Sequence, residues 1–290
     1  MTVSAELTAP RRLHVPKFLG LWSGRVGLFI SVVILLVVFV GPLVSPYPPT
    51  RIVAPPFLSP NARFPLGTDV LGRDVLSRLL CGGESVLLLG GLATLLAYVV
   101  GGTIGLAAGF SRGWLDGVLM RLMDVILAIP ALLFLLVLAT GAGSGGLVAV
   151  IGVATIQVPG IARIIRAATL DVSVRGYVEA ASARGERTTF ILFREIAPNI
   201  APTIVADGGT RLTVSILSIA ALTFLGVGLQ PPAANWALMM TENRPGLTFQ
   251  PWAVIAPALA LAAMTVGINL LADACARSLG RSASTIAPTA

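Results

Sequence analysis

The residues in this chain that could do chemistry fall into three groups. Asp207 and Arg211 are the only charges between Glu195 and Glu242. They stand at i, i+4, the spacing that lets two side chains meet on one helix face. Ser215 and Ser218 continue that face at i+8 and i+11. A charge near the centre of a bilayer costs on the order of 3 kcal/mol on insertion scales, so such groups face protein or water. This stripe therefore either serves helix packing, each charge compensating the other, or lines a polar pathway. The second group is the stretch GYVEAASARGERTTFILFREIAPNI, Gly176 to Ile200. It places Glu179, Arg184, Glu186, Arg187, Arg194 and Glu195 between two apolar blocks. The third group holds what catalysis or metal binding would need, and it is thin. In GAGSGG (141–146) Ala142 stands where a Gly-x-Ser elbow needs its first glycine, and the single histidine, His14, lies outside the apolar runs. No Ser–His pair is available, and the motif reads as a glycine turn. Cys81 and Cys275 with one histidine do not make a clustered zinc site or a disulfide framework, so neither a metal nor a cofactor is expected.

The elements that must position these groups are membrane spans. Of 290 residues, 56% are hydrophobic and only 11% charged, against about 25% charged in soluble domains. The net charge of +7 would suit a nucleic-acid binder, but the basic residues sit at the ends of apolar runs, which is a mark of membrane topology. Val26–Val44 has no charge, and 19 residues are enough to cross about 30 Å of hydrocarbon. The sequence after it, GPLVSPYPPT, offers no convincing signal cleavage site, so this reads as a retained first helix. Ser85–Phe110 is uncharged for 26 residues and makes a second span. Val125–Ala162 is uncharged for 38 residues, too long for one crossing, and GAGSGG divides it into a third span, kinked at Pro130, and a fourth. A fifth span is expected over 202–227 and a sixth over 252–273, and the final RSASTIAPTA reads as disordered.

Six spans place both termini on one side. That side holds 14 of the basic residues and the other side 5, which puts the termini and the charged central loop in the cytoplasm. Within the loop, Leu170, Val174, Val178 and Ala181 form an apolar stripe on a helix over 170–184, and Asp171, Arg175 and Glu179 form an i+4 ladder of ion pairs on another face. Gly185 stops this helix. A second short helix over about 188–196 follows, and Pro198 ends it or opens the next. On the opposite side, TDVLGRDVLSRLL reads as an amphipathic helix from Thr68 onward, lying at the surface near the second span, with Asp69, Arg73 and Asp74 on its polar face.

Glu179-Ala180-Ala181, three residues, Gly185, nine residues and then Glu-Ile-Ala-Pro (195–198) closely resemble the EAA loop of ABC importer permeases. The family pattern ends in Ile-x-Leu-Pro; here Glu195 and Ala197 replace the Ile and Leu, and Pro198 is kept. PLGTDVLGRDVLSRLL (65–80), GLAAGFSRGWLDGVLMRLMDVILAIPALL (105–133) and FLGVGLQPPAANWALMM (224–240) are similar to the dipeptide/oligopeptide/nickel branch of that family, in its C-type subunit, and the likeness covers most of 18–280.

The resemblance implies an all-α membrane protein with the architecture of a type I ABC importer permease. It implies an ATPase-coupling loop at 170–198 using Glu179, Ala180, Ala181, Gly185, Arg187 and Pro198. It implies as partners a second homologous permease, two ATPase subunits and an extracytoplasmic substrate-binding protein, in the inner membrane of a prokaryote, with di- or oligopeptides as the expected cargo in a branch that also includes transporters of nickel and haem, which no residue here distinguishes. Consistently, the sole lysine, Lys17, is followed by Phe18, so the chain has no Gly-x4-Gly-Lys-Ser/Thr loop for ATP. The reading divides the chain into a tail (1–25), a first span with an external segment (26–84), a five-span core (85–275) and a second tail (276–290). The rival is a secondary transporter or channel that uses Asp207 and Arg211. It would work alone and would leave the EAA-like loop without a purpose.

Overall fold

The computed structural model describes residues 22–111 and 113–284. Among these there is no strand, only two isolated bridges, Ile52 with Arg73 and Thr68 with Asp74. The helices are α1 (Trp22–Val44), α2 (Val75–Cys81), α3 (Gly83–Ser111), α4 (Trp114–Ala128), α5 (Ala131–Ala142), α6 (Gly146–Ser173), α7 (Gly176–Ala183), α8 (Thr188–Phe190), α9 (Ala197–Phe224), α10 (Trp236–Asn243) and α11 (Trp252–Ser284). A π-helical turn, Ile191–Ile196, joins α8 to α9, so the chain is helical without a break from Thr188 to Phe224.

Small residues decide how the spans meet. Gly101, Gly105 and Gly109 lie on one face of α3, and a Cβ on Gly105 would sit 2.6 Å from the carbonyl of Ala162. Backbones approach this closely only where side chains are absent, the commonest interface chemistry between helices in lipid. The contacts pair Gly101 with Ile161, Gly105 with Ile165 and Gly109 with Thr169. Residue numbers rise together on the two helices, so α3 and α6 are parallel. The chain between them must therefore return across the membrane. It does so through α4 and α5, which are bent 84° apart at Ile129 and Pro130. Asp116 near the start of α4 meets Arg166, and Leu135 and Leu138 of α5 meet Gly152. Five helices are long and apolar enough to span alone, and the bent pair makes the sixth crossing.

Elsewhere α1 packs antiparallel on α11, Gly27 against Leu270 and Gly267 against Ile30. One face of the bundle thus carries the start of α1, the end of α3, the turn at Gly185 and Arg277 of α11; it is called the Gly185 face below. The other, the Phe64 face, carries the segments 45–82 and 225–251. Cys81 and Cys275 lie toward opposite faces and no disulfide joins them.

Several expectations are corrected. The third span begins at Trp114, not Val125, and Pro130 breaks it almost at a right angle instead of kinking it. The proline disfavours the helical region for the residue before it, and Ile129 and Pro130 are both extended at ψ 124°, so the helix stops there. The last helix runs on to Ser284, so residues 281–284 are helical where a disordered tail was expected. Residues 1–21, with His14 and Lys17, and 285–290 lie outside the described residues.

Candidate functional site

The central loop opens where α6 ends. The expected single helix over 170–184 is two: α6 stops at Ser173, Val174 and Arg175 leave the helical course, and α7 starts at Gly176. The break takes Val174 out of the expected stripe. Val174 is 56% exposed, while Val178 and Ala181 are buried with Ile191, Ile196 and Ile200. It also prevents the Asp171–Arg175–Glu179 ladder, since the three residues no longer share one helix. Glu179 is exposed, and its backbone N–H donates to the Arg175 carbonyl at 3.2 Å.

The end of α7 is a two-bond cap. The Gly185 N–H donates to Ser182 at 3.0 Å and the Glu186 N–H reaches back to Ala181 at 3.3 Å, with Gly185 at φ +73°. This pairing is the Schellman arrangement, in which a left-handed residue satisfies the last carbonyls of a helix. The spacing from Ala181 to Gly185 in the motif is thus the spacing of the cap. After it, Arg184 and Glu186 pair at 2.6 Å on the surface, and Arg187, exposed, precedes α8. Pro198 opens α9, standing in its first turn as expected, although the π turn before it keeps the rod continuous. Lacking an N–H and crowding the carbonyl four residues before it, Pro198 gives a physical reason for the wider π turn that precedes it. Arg194 lies 5.3 Å over the Phe190 ring, and Asn199 donates to the Glu195 carbonyl at 2.6 Å. The result is a stiff turn on the Gly185 face, anchored by Val178 and Ala181 from below and showing Tyr177, Glu179, Ala180 and Arg184 outward.

The intramembrane stripe on α9 forms as its spacing predicts. Arg211 Nε lies 3.0 Å from Asp207 Oδ2, and both side chains are mostly buried, at 20% and 17% exposure. The Tyr98 hydroxyl on α3 donates to the same carboxylate at 2.7 Å. The Arg211 guanidinium lies on Gly160 of α6, where a Cβ would come within 2.7 Å of it. One turn farther, Ser215 is buried and shares hydrogen bonds with Thr94 at 2.7 Å and Gln157. Ser218 is half-buried on the same face. Tyr98, Thr94 and Gln157 were not found by sequence reasoning; each is a lone polar residue in an apolar run, and only the packing of α3 and α6 on α9 reveals its partner.

The Phe64 face holds an ion cluster that the sequence also hid. The helix expected from Thr68 begins only at Val75, capped by Asp74, whose carboxylate accepts from the Ser77 N–H at 2.9 Å. Residues 67–73 form turns, and Asp69 and Arg73 do not face solvent. Arg73 reaches Asp69 at 2.6 Å and Glu242 at 2.8 Å; Arg78, fully buried, reaches Asp69 at 2.7 Å and Glu242 at 2.6 Å. The Asn243 side chain accepts from the Val70 N–H, and the Gln250 amide donates to Leu66. The Pro-rich segment is therefore bolted to the loop around α10.

Among the described residues no cluster of histidine, cysteine, aspartate and glutamate is arranged to hold a metal.

Residues 101–284 match the family described as the binding-protein-dependent transport system inner membrane component. The chain is 37% identical over 214 residues to the glutathione transport system permease protein GsiD of Pectobacterium atrosepticum, covering 74% of this chain and 71% of that one. It is 35% identical over 254 residues to the di/tripeptide transport system permease protein DppC of Pseudomonas aeruginosa, covering 85% and 84%. Among solved structures, the inward-facing MetNI methionine ABC transporter matches 71% of this chain and 96% of its own with a TM-score of 0.57 at 17% identity, a likeness of fold. The helical bundle is that of a type I ABC importer permease, and the chain belongs to the family of inner-membrane components of binding-protein-dependent transport systems.

Proposed function

We propose that this chain is one of two homologous permease subunits in an ATP-driven importer of short peptides, with its Gly185 face in the cytoplasm. The observation that carries this reading is the capped turn at Gly185. It is a rigid, solvated element, continuous through Thr188–Phe224 with the span that holds Asp207 and Arg211. A turn so joined to a span is suited to pass a push from a cytoplasmic partner into the bundle. On this reading the exposed part of α7, with Glu179, Ala180 and Arg187 near it, docks on an ATPase subunit. Ala181, Gly185 and Pro198 shape the element from within. Two ATPase subunits supply the energy, and a binding protein delivers cargo to the Phe64 face. Peptide cargo is supported by the names of the relatives, which carry glutathione and di- or tripeptides. The Asp207–Arg211 pair with Ser215 and Ser218 is proposed to border the pathway. The rival, a secondary transporter built on that pair, loses ground because its charges are answered by each other and by Tyr98.

The test is reconstitution. The chain co-expressed with the genes beside its own should purify with a second permease and two ATPase copies, and vesicles loaded with ATP should take up labelled di- or tripeptide only when the binding protein is added. Uptake by the chain alone, driven by an ion gradient, would overturn the reading.

A further inference from the structure

A groove runs along α11 between α1 and α9. α11 packs on both helices, Leu270 meeting Gly27 of α1 and Ala272 meeting Gly209 of α9. Between them lies a cavity of about 340 Å³. Leu35 of α1 with Val205 and Leu212 of α9 form its walls, and α11 forms its floor from Met264 to Cys275. Leu87 of α3 closes it toward the Phe64 face. Leu35 and Val205 are exposed, so the groove is open along its outer side. Asp207 and Arg211 do not enter it; they leave α9 on another side, toward Tyr98 and Gly160.

The groove has the depth of one leaflet. From Met264 to Cys275 the floor follows about 16 Å of helix, close to half of a hydrocarbon core of about 30 Å. Cys275 lies about 35 Å along α11 from Trp252, which brings this end to the membrane surface on the Gly185 face. The exposed Trp22 at the start of α1 marks the same surface. A helix about 10 Å wide would fill on the order of 1,200 Å³ over that length, several times the space available. One extended hydrocarbon chain is far thinner.

Two polar features say what kind of chain fits. Ser31 of α1 lines the cavity and is only 8% exposed, yet its Oγ finds no hydrogen-bond partner among the described residues. A hydroxyl buried without a partner is unfavourable, so a carbonyl oxygen entering the groove would accept from it. Toward the surface, Arg25 lies six residues from Ser31, about 9 Å along α1. Arg277 of α11 donates to Ser23 Oγ at 2.8 Å and so reaches across the ends of both helices, with guanidinium donors to spare. The only carboxylate on α1 or α11 is Asp273, against Arg25, Arg277 and Arg281. The mouth is therefore positive.

We propose that this groove binds one acyl chain of an anionic phospholipid from the leaflet on the Gly185 face, with the phosphate at Arg25 and Arg277 and an ester carbonyl accepting from Ser31. Such a lipid supplies, in order, the three features the site asks for: an anionic head for the basic mouth, a carbonyl below it, and an apolar chain one leaflet long. The chain would lie against the close contact of Gly209 with Ala272. The site is independent of which cargo crosses and of which subunits accompany this chain.

The experiment places the co-purified complex in nanodiscs of phosphatidylglycerol and phosphatidylethanolamine in equal parts and reads retained lipid by native mass spectrometry after release from the disc. The wild-type complex should keep phosphatidylglycerol in at least fivefold excess. Val205→Trp, which fills the groove from its open side, should lower that retention about tenfold. Ser31→Val, close in shape but without the hydroxyl, should lower it about threefold and carries the test if the larger side chain prevents assembly. Arg25→Gln/Arg277→Gln should abolish the excess, and Leu36→Trp, on an exposed face of α1 outside the groove, should leave retention unchanged. A benzophenone amino acid at Leu35 should be joined by light to phospholipid. Equal retention of the two lipids by the wild type, equal losses in Leu36→Trp and Val205→Trp, no loss in Ser31→Val, or an adduct at Leu35 to protein in place of lipid would each overturn the site.

Discussion

Gly185 concentrates the requirements of the loop in one residue. Its φ of +73° lies where a Cβ costs roughly 1–2 kcal/mol in the left-handed region, yet nothing lies within 4 Å of where that Cβ would be. Substitution there is thus a test of backbone and not of space. Gly185→Val should leave insertion intact and weaken ATPase association or coupled uptake several-fold, while Gly185→Asn, whose side chain tolerates the left-handed region, should retain most of both. Pull-down stoichiometry and uptake in proteoliposomes decide it. Glu179→Ala should act similarly from the partner's side, since Glu179 points outward. At Asp207 and Arg211 the expectation is an inequality. Arg211→Ala leaves a largely buried carboxylate held by Tyr98 alone, so it should lower the melting temperature of the purified complex more than Asp207→Ala/Arg211→Ala does, because an unpaired buried charge costs more than an absent pair. Equal shifts would show that the charge is relieved by water.

At the scale of elements, the Phe64 face depends on Glu242. It answers both Arg73 and Arg78, and removing one partner of a buried pair typically costs about 3–5 kcal/mol. Glu242→Ala should therefore release the segment 45–82, read as rapid proteolysis between Tyr47 and Arg73 in right-side-out vesicles, while Glu242→Asp should protect it partly. The four groups of this cluster were all visible as residues, but the pairing of Arg73 and Arg78 with Glu242 joins positions more than 160 apart in the chain, and no local spacing encodes it. The alternation of apolar and polar residues from Thr68 looked helical because turns stabilised by Asp69 and Asp74 side chains can present the same pattern. The cap at Gly185 was legible for the opposite reason: its bonds are all within six residues. The break at Val174 had only Gly176 to announce it, since Val178 and Ala181 leave the axis of α6 to reach Ile191 and Ile196, a tertiary preference. Pro130 announced a disturbance, but nothing local to it encodes the 84° size.

For the whole molecule, the six crossings followed from uncharged runs, and the parallel course of α3 and α6 supplies an independent reason for the return crossing. Sidedness is testable with single cysteines in a chain lacking Cys81 and Cys275. Ser59→Cys, exposed on the Phe64 face, should react with an impermeant maleimide in intact spheroplasts. Ser182→Cys, exposed on α7, should react only after permeabilisation. Reversal of the two would invert the assignment of the charged turn to the cytoplasm.

The unbroken helix from Thr188 to Phe224 has 37 residues and a length of about 55 Å. At Gly209 it is pressed against Ala272 of α11 without room for a Cβ, a natural fulcrum. About 32 Å of rod then lie on the Gly185 side and about 22 Å on the other. Tilting it by about 10° would move the capped turn by roughly 6 Å and swing Phe224 by roughly 4 Å in the opposite sense, while Asp207 and Arg211, beside the pivot, would hardly shift. A stroke at one membrane surface would thus become a counter-stroke at the other, and the charged pair would sit at the still point of the seesaw.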